Sequence, residues 1–485
     1  MIDADLLWFD PALCLIDGSF QSAADGQTLP LVNPSDGTAL CQIARGTATD
    51  IDAAVDAARI ALDGPWGAMT ATDRGRLLTR MGALVLDRCD ALARLEAMDV
   101  GKPLTQARAD VVALARYLEF YGGAADKLHG ETIPYQAGYT VYSLREPHGV
   151  TGHIVPWNYP MQIIGRSVGA ALAMGNACVL KPAEEACLTA LAFANIAVEA
   201  GLPAGALNVV PGIGAEAGAA LAGHPGVDHI SFTGSVATGA LVQQAAGRNV
   251  VPVTLELGGK SPQIVFDDAD VTAALPFLVN AGIQNAGQTC SAASRILVQR
   301  GVYNEVRDAM SAAYRELSVG PALSDLRLGP LISLRQKAIV EGYLAKGRDL
   351  TIAAEGYLAE DAPNTGAYVR PTLFADVAPD HPLAQEEIFG PVQVLILFDS
   401  EEEAVTIANG TDYGLVAGLW TRDGARQMRL AKRLHAGQVF LNNYGAGGGV
   451  ELPFGGIGKS GHGREKGFEA LYGFSQLKTV AAYHG

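Results

Sequence analysis

Apolar residues recur at helical spacing along the N-terminal part of the chain. This spacing predicts helices that begin at Asp50 and that span residues 72–99 and 104–129. We expect Asp50 to be the N-cap of the first helix, because its carboxylate can accept a hydrogen bond from a free backbone N–H of the first turn. Aromatic residues and methionines fall on the same apolar faces, which indicates core packing rather than a cofactor site.

The pattern changes in the middle of the chain. Residues 135–145 alternate between polar and apolar side chains, which predicts a strand that leaves the main body. Between residues 150 and 257, short apolar runs alternate with helical windows such as 163–173 and 188–200. This alternation predicts a parallel sheet with helices on both faces, in which nucleotides bind at the carboxyl ends of the strands. The predicted strands are 152–155, 177–181, 207–210, 229–233 and 252–255, and a second α/β pattern gives 263–266, 295–298, 394–398 and 439–442.

Length and composition narrow the class of protein. A chain of 485 residues predicts two or three domains, and 49% hydrophobic with 18% charged residues is typical of a compact enzyme. The net charge of −16 argues against nucleic acid or an anionic membrane as a partner. The N-terminus has no signal-peptide pattern, and no apolar run reaches the length of a membrane span.

The six cysteines are scattered, without C-x-x-C or metal-ligand spacing. This distribution favours free thiols in a reducing cytoplasm over a disulfide framework or a zinc site. The histidines form no H-E-x-x-H cluster either. We therefore expect a cytoplasmic protein that holds no metal ion.

One short stretch, residues 285–295, carries the strongest chemical signal. Cys290 lies there among small residues, which let a substrate approach its sulfur. Upstream, an apolar run ends in Glu256, followed by Gly258 and Gly259. A thiolate is a strong nucleophile near neutral pH, and a carboxylate that takes a proton or activates water is its natural partner. The alternative is a buried, inert cysteine.

The predicted sheet has no G-x-G-x-x-G after its first strand. Instead, Gly234 and Ser235 follow a strand at a point where a helix begins, so backbone N–H groups there can hold a phosphate. An ordinary turn that caps the helix is the alternative. Lys181 and Glu184 follow another strand and offer a cation and a carboxylate to a ribose, unless they are ordinary surface residues.

Together these stretches match one family. The chain resembles the aldehyde dehydrogenase superfamily over essentially its whole length, in its hydrolytic rather than CoA-acylating form. The matching motifs are P-W-N-Y-P (156–160), K-P-A-E (181–184), F-T-G-S (232–235), E-L-G-G-K (256–260), G-Q-T-C (287–290), E-E-I-F-G-P-V (386–392) and P-F-G-G (453–456). Consistency across so many motifs argues against the inert cysteine.

The resemblance implies roles in the oxidation of an aldehyde to a carboxylic acid. Cys290 attacks the aldehyde carbon, while Asn158 and the backbone N–H of Cys290 hold the developing oxyanion. After hydride transfer to NAD, Glu256 activates the water that hydrolyses the thioester. Glu465 resembles a carboxylate through which the family passes protons outward. Because the acylating semialdehyde branch lacks a carboxylate at the position of Glu256, its presence favours hydrolysis over CoA acylation.

The resemblance also implies the cofactor residues. Lys181 and Glu184 bind the adenosine ribose of NAD. A carboxylate at Glu184 repels the 2′-phosphate of NADP, so NADP is possible but less favoured, with Lys181 offsetting part of the repulsion. The other cofactor residues are Pro156, Trp157 (adenosine side), Gly234 and Ser235 (pyrophosphate), Glu387 (nicotinamide ribose) and Phe389 (nicotinamide face).

The implied architecture is an aldehyde dehydrogenase-like α/β fold. It has a Rossmann-type coenzyme domain over residues 1–124 and 146–256 and an α/β catalytic domain over 257–460. A small β oligomerisation arm comprises 125–145 and 461–485. Edge strands of this kind invite pairing with a second chain, so a homodimer or homotetramer is expected.

Arg166 lies on the helix that follows Asn158 and is predicted to line the substrate tunnel, with Tyr159 and Phe454 as apolar walls. Succinic semialdehyde dehydrogenases resemble the chain at Arg166, but they carry a second arginine where this chain has Gln284. The loop 444–450 is rich in glycine and adds little bulk near the tunnel, which leaves room for a large substrate. We therefore expect a medium or bulky aldehyde, aromatic or with a polar end. Succinic or another acid semialdehyde is the alternative, as is a CoA-acylating reaction.

Overall fold

The computed structural model describes residues 6–445 and 449–485. The strands are β1 (Cys14–Ile16), β2 (Ser19–Gln21), β3 (Thr28–Val32), β4 (Ala39–Ala44), β5 (Tyr139–Pro147), β6 (Val150–Val155), β7 (Ala177–Pro182), β8 (Leu207–Val209), β9 (His229–Thr233), β10 (Val253–Glu256), β11 (Pro262–Val265), β12 (Arg295–Gln299), β13 (Ser318–Val319), β14 (Thr351–Glu355), β15 (Tyr357–Leu358), β16 (Thr372–Ala375), β17 (Val392–Phe398), β18 (Tyr413–Gly414), β19 (Val416–Trp420), β20 (Gln438–Leu441), β21 (Ile457–Gly458), β22 (Gly461–His462) and β23 (Ser475–Tyr483).

The helices are α1 (Ala48–Asp63), α2 (Ala71–Asp87), α3 (Cys89–Val100), α4 (Leu104–Ala124), α5 (Pro160–Ala173), α6 (Leu188–Glu199), α7 (Ala219–Ala222), α8 (Val236–Gly247), α9 (Val271–Ile283), α10 (Tyr303–Arg315), α11 (Leu334–Lys346), α12 (Pro382–Gln385), α13 (Glu401–Asn409), α14 (Gly424–Arg433) and α15 (Gly467–Gly473). None of the helices in the described residues is long and apolar enough to cross a membrane.

The first sheet confirms the predicted parallel α/β unit. Its strand order is β2-β1-β8-β7-β6-β9-β10-β22, and the five strands from β8 to β10 run parallel. Parallel strands end at the same edge of a sheet. The residues that follow or end β6, β7, β9 and β10 therefore meet at one edge, which brings together Pro156, Pro182, Gly234 and Glu256.

The second sheet has its own core. Its order is β14-β16-β17-β12-β11-β19-β20, and only the edge strand β14 pairs in an antiparallel manner. Buried side chains on and around this sheet form an apolar cluster separate from the one around the first sheet. A smaller cluster that includes Ala293, Leu415 and Phe454 packs against Cys290. Each of the two sheets thus has its own apolar cluster, and the predicted domain boundaries stay a prediction.

The projecting strand begins at Tyr139, later than the predicted 135. β5 and β23 form an antiparallel ladder from Tyr139 opposite Tyr483 to Pro147 opposite Ser475. Only the end of the predicted 461–485 segment belongs to this ladder, because β22 pairs with β10 and α15 contacts α5. Several large apolar side chains of the ladder are exposed, among them Leu477 and Tyr483.

Three N-terminal predictions differ in detail from the structure. The N-cap of α1 is Thr47, and Asp50 lies one turn in, where its Oδ2 accepts a hydrogen bond from the Thr47 N–H at 2.8 Å. The predicted helix 72–99 is two helices, because Arg88 between them has non-helical backbone angles (φ −108°, ψ 20°). α4 ends at Ala124 instead of residue 129. Apolar residues continue at helical spacing across each of these helix boundaries, so the spacing alone did not locate the boundaries.

A buried ionic cluster joins α3 and α4 to the chain before α5. The fully buried Lys102 lies 2.5 Å from Glu96 and also pairs with Asp110. Its ammonium lies 4.0 Å from the ring centre of Tyr159, and Asp110 accepts a hydrogen bond from Gln162 at 2.6 Å. Removing one partner of a buried pair leaves an uncompensated charge, at a typical cost of about 3–5 kcal/mol. We call Lys102, Glu96 and Asp110 the Lys102 cluster.

Candidate active site

A cavity of about 420 Å³ opens where the strand ends of the first sheet face the Cys290 loop. This volume suits a small-molecule site. The predicted site residues that line it are Pro156, Trp157, Asn158, Tyr159, Arg166, Gly234, Ser235, Glu256, Cys290, Glu387, Phe389 and Phe454. Lys181, Glu184 and Glu465 are not among its lining residues. In the described residues, no three His, Cys, Asp or Glu side chains group as a metal site would require.

The loop that carries Cys290 has an unusual backbone. After α9 ends, Asn285, Ala286 and Gly287 all adopt positive φ angles (49°, 53° and 75°). A Cβ at Gly287 would lie 2.1 Å from the carbonyl oxygen of Gly390, so only glycine fits there. Non-glycine residues in this conformation store strain, which persists at sites where the surroundings fix it.

Asn158 is tied directly to this loop. Its side-chain Nδ2 donates to the Gln288 carbonyl at 3.0 Å, and its own carbonyl accepts from the Asn285 side chain at 3.0 Å. An amide –NH₂ has two hydrogens, so one remains to point at a ligand. Asn158 and Cys290 line the same cavity. This arrangement can hold an oxyanion beside the sulfur.

The surroundings of Cys290 favour its thiol over its thiolate. Burial raises the pKa of Cys290 to about 11, and the nearby Glu256 and Glu387 act in the same direction, whereas Arg166 and Lys466 oppose them. Since the thiolate is the nucleophile, the sulfur needs a base that takes its proton.

Glu256 is placed to be that base. It ends β10 and is fully buried, and neither carboxyl oxygen has a hydrogen-bond partner among the described residues. Burial raises the pKa of Glu256 well above its usual range, although Arg166 lowers it. Gly455 (φ 153°) makes room for the carboxyl group, since a Cβ there would lie 2.8 Å from Oε1. Buried polar atoms without partners in a cavity indicate a place for water or substrate.

Arg166 and Glu465, which were predicted for separate roles, form an ion pair. Ser231 donates to the other Glu465 oxygen at 2.8 Å, and Arg166 Nη2 donates to Thr233 Oγ1 at 3.3 Å. Burial acts to lower the pKa of Arg166, but the charge of Glu465 raises it overall. Arg166 therefore lines the cavity with its charge already balanced, and Glu465 lies behind it as its counter-ion.

Lys181 and Glu184 form a second ion pair, 2.8 Å long, at the end of β7. The Gly214 N–H donates to Glu184 at 3.2 Å. Burial opposes ionisation of Glu184, yet Lys181 and these hydrogen bonds together lower its pKa below the usual value. Ser235 is the N-cap of α8, where its hydroxyl accepts from the Thr238 N–H at 3.3 Å. That contact fits both an ordinary cap and a phosphate site.

Glu387 and Phe389 lie at the other side of the cavity. The Gly259 N–H donates to Glu387 at 3.1 Å, and burial raises the pKa of Glu387 to about 7. Trp157 packs edge-on against Phe389, with ring centres 5.4 Å apart. Trp157 thus lies beside the predicted nicotinamide residue, and its own place on the adenosine side stays a prediction.

Several residues that line the cavity were not predicted from the sequence. Gln162 and Ile163 lie between Tyr159 and Arg166 at helical spacing, so the face of α5 was a usable signal. Lys466 had no such signal beyond its position next to Glu465. Burial lowers the pKa of Lys466 to about 7, with Arg166 acting in the same direction. Within the predicted loop 444–450, residues 446–448 lie outside the described residues, and Tyr444 donates to the Ser291 carbonyl at 2.6 Å.

Comparison with known proteins identifies the class. A family model described as the aldehyde dehydrogenase family matches residues 20–480. The hydroxyisobutyraldehyde dehydrogenase of Mycolicibacterium austroafricanum is 41% identical over 99% of this chain and 95% of its own length. The mitochondrial aldehyde dehydrogenase of Equus caballus is 43% identical over 96% of this chain and 94% of its own.

Solved structures agree. A candidate aldehyde dehydrogenase from Burkholderia cenocepacia has a TM-score of 0.97 at 65% identity and covers 98% of this chain and 100% of its own. The NAD⁺ complex of the Bacillus cereus aldehyde dehydrogenase has a TM-score of 0.96 at 39% identity, and the match covers 100% of this chain and 99% of the Bacillus cereus chain. The chain belongs to the aldehyde dehydrogenase family. It is an oxidoreductase that converts an aldehyde to a carboxylic acid.

The raised pKa of Cys290 predicts how the thiol is alkylated. Because the pKa is about 11, the rate of Cys290 modification by iodoacetamide in the cofactor-free protein should keep rising, by about tenfold per pH unit, between pH 7 and 10. Peptide mass spectrometry follows the site, with N-acetylcysteine as a reference that levels off near its own pKa. A plateau of the Cys290 rate below pH 8 would show instead that the thiolate is stabilised.

Proposed function

We propose that this protein catalyses the NAD-dependent oxidation of a medium or bulky aldehyde to its acid, through a thioester on Cys290. One observation carries the proposal: the Cys290 thiol, the Asn158 amide and the Glu256 carboxyl meet in one cavity, and the carboxyl oxygens have no partner among the described residues. These are the nucleophile, the oxyanion donor and the base that the reaction needs.

The side chains act in order. As a carboxylate, Glu256 takes the Cys290 proton as the sulfur bonds to the aldehyde carbon, and it releases that proton to solvent before hydrolysis begins. Asn158 and the backbone N–H of Cys290 hold the oxyanion while hydride leaves the same carbon. Glu256 then takes a proton from water, whose oxygen attacks the thioester and releases the acid and the Cys290 thiolate. Glu256 then returns this second proton to the thiolate, so that each turnover releases one proton to solvent and restores the Cys290 thiol.

NAD is the cofactor in this proposal, as in the Bacillus cereus complex. When bound, NAD⁺ accepts the hydride. The residues present fit it: the ionised Glu184 suits a ribose diol, Gly234 and Ser235 lie at the N-terminus of α8, and Glu387 and Phe389 flank the cavity near Cys290. Residues 1–124 and 146–256 would form the coenzyme domain, and 257–460 the catalytic domain.

The substrate assignment rests on the cavity walls. Tyr159, Ile163 and Phe454 supply apolar surface, whereas Arg166 is neutralised by Glu465 and no longer suits a tight clamp on a short acid semialdehyde. The Mycolicibacterium relative is named for an aldehyde that carries a hydroxyl group, which agrees with a polar end. Glu256 favours water over coenzyme A as the acceptor.

Assembly and location complete the proposal. The exposed apolar side chains on the β5–β23 ladder suit pairing between chains, in a homodimer or homotetramer. All six cysteines are free thiols in the structure, as a reducing cytoplasm would keep them.

The experiment that tests the reaction is a panel of aldehydes with NAD⁺. We expect stoichiometric NADH and carboxylic acid, with kcat/KM higher for benzaldehyde-type and other medium-sized aldehydes than for succinic semialdehyde. The same panel with coenzyme A should give no acyl-CoA. If succinic semialdehyde is the best substrate, the substrate assignment is wrong. If no aldehyde yields NADH, the proposed reaction itself is wrong.

Replacing the base separates the two chemical steps. Glu256→Gln should slow hydride transfer, because the thiol loses its base, but should slow hydrolysis of the thioester more, so that stopped-flow absorbance still shows a burst of NADH while steady-state kcat falls roughly 10²–10⁴-fold. Cys290→Ala is the control and should show neither phase. Equal loss of burst and turnover in Glu256→Gln would place its main role in activating the thiol.

Cofactor preference depends on Glu184. Its ionised carboxylate should repel the 2′-phosphate of NADP, so kcat/KM should be at least about tenfold higher with NAD⁺ than with NADP⁺. Glu184→Gln should narrow that ratio, whereas Glu199→Gln, a change at an exposed residue paired with Arg88, should not. Equal kcat/KM for both cofactors in the unmodified protein would contradict the assignment.

A further inference from the structure

Lys466 has a backbone conformation that almost no lysine adopts. Its φ of 62° and ψ of 167° lie in a region populated essentially by glycine. Such a residue is held against its own preference, and strain of this kind concentrates at sites of ligand binding or catalysis.

The chain on both sides of Lys466 is fixed by backbone hydrogen bonds. Glu465 donates to and accepts from Phe454, at 2.8 and 2.7 Å, and the Gly467 N–H donates to the Val450 carbonyl at 2.7 Å. Relaxing Lys466 toward an ordinary conformation would break these contacts. The strain is therefore a stable part of the fold, and it determines where the side chain points.

That side chain points into the substrate end of the cavity. Lys466 lines the cavity with Cys290 and Phe454, is only 2% exposed, and places its ammonium 5.1 Å from the Phe454 ring centre. The other charged or titratable groups around it are Arg166, Glu256, Glu465 and Cys290.

The balance of these charges leaves Lys466 suited to an anion. Arg166 is neutralised by Glu465, and burial favours the uncharged forms of Glu256 and Cys290. Lys466 therefore adds positive charge to a wall that is otherwise close to neutral. An ammonium carries three N–H donors, so it can serve the protein and a ligand together.

Building on the function proposed above, we propose that Lys466 is the specificity residue that binds the polar end of the substrate. It selects aldehydes that carry a carboxylate on a medium-sized or aromatic body. A single ammonium binds as a point charge rather than as a two-pronged guanidinium clamp. It can therefore accept a carboxylate on bodies of different length.

Two aldehydes of the same shape test this assignment: 4-carboxybenzaldehyde and 4-methylbenzaldehyde. The measurement is the ratio of their kcat/KM values with NAD⁺ at pH 6.5, and we expect this ratio to exceed one in the unmodified enzyme. Lys466→Met should lower the ratio by about tenfold or more, the loss expected for one charge-assisted hydrogen bond. Its kcat/KM for the methyl compound should fall less than that for the carboxy compound, because a methyl group offers the ammonium no acceptor and only the effect of Lys466 on the pKa values of Cys290 and Glu256 is lost.

Three variants separate this role from a structural one. Lys466→Arg should keep most of the ratio, because it retains a cation. Lys466→Gly should lose the ratio as Lys466→Met does, because glycine adopts this backbone conformation without strain but carries no cation. Lys459→Met removes an exposed lysine of the same segment and should leave the ratio unchanged.

An unchanged ratio in Lys466→Met overturns the proposal. An equal fall for both aldehydes also overturns it, because Lys466 would then act on Cys290 or Glu256 and not on the substrate. If the unmodified enzyme oxidises 4-methylbenzaldehyde but shows no preference, only this inference fails. If it yields no NADH with any aldehyde, the proposed function fails and takes this inference with it.

Discussion

The burial of Glu256 is the constraint to which the rest of the site is fitted. A carboxyl group at the end of a central strand, with no partner among the described residues for either oxygen, has its pKa raised by burial. Burial also raises the pKa of Cys290, so the base and the nucleophile are both shifted toward their protonated forms. Arg166 and Lys466 lie close enough to lower both pKa values in part. Glu256 and Cys290 must therefore each lose a proton before they can act as base and nucleophile.

Backbone strain positions these groups. Asn285 and Ala286 before Cys290, Phe389 and Lys466 all have positive φ angles. Each of these residues lies in or next to the cavity wall. Packing and hydrogen bonds elsewhere hold them there, which is how a folded scaffold can keep a precise geometry that the local sequence does not prefer.

The sequence predicted the parallel sheet, the Cys290 loop and part of the cavity wall, because periodicity and short motifs are local signals. It misplaced the start of the first helix, since Thr47 and Asp50 both suit a helix N-terminus and only the structure shows Asp50 bonding back to Thr47. It could not pair Arg166 with Glu465, which are far apart along the chain, or find Lys466, whose role depends on a backbone conformation without a sequence pattern. Long-range electrostatic partners lie beyond single-sequence reasoning.

The Lys102 cluster limits how freely the cavity can be redesigned. The Tyr159 ring covers the Lys102 ammonium, and Gln162 donates a hydrogen bond to Asp110. Two residues of the cavity wall therefore also stabilise the buried charges of the Lys102 cluster. Enlarging the cavity at either position would expose or unpair part of the cluster. Substitutions that alter the substrate range should therefore occur at wall residues that do not contact the Lys102 cluster, such as Ile163. Tyr159 and Gln162 should change only together with Glu96 or Asp110. Substitutions that change substrate selectivity at Tyr159 or Gln162 should therefore occur together with substitutions in the Lys102 cluster.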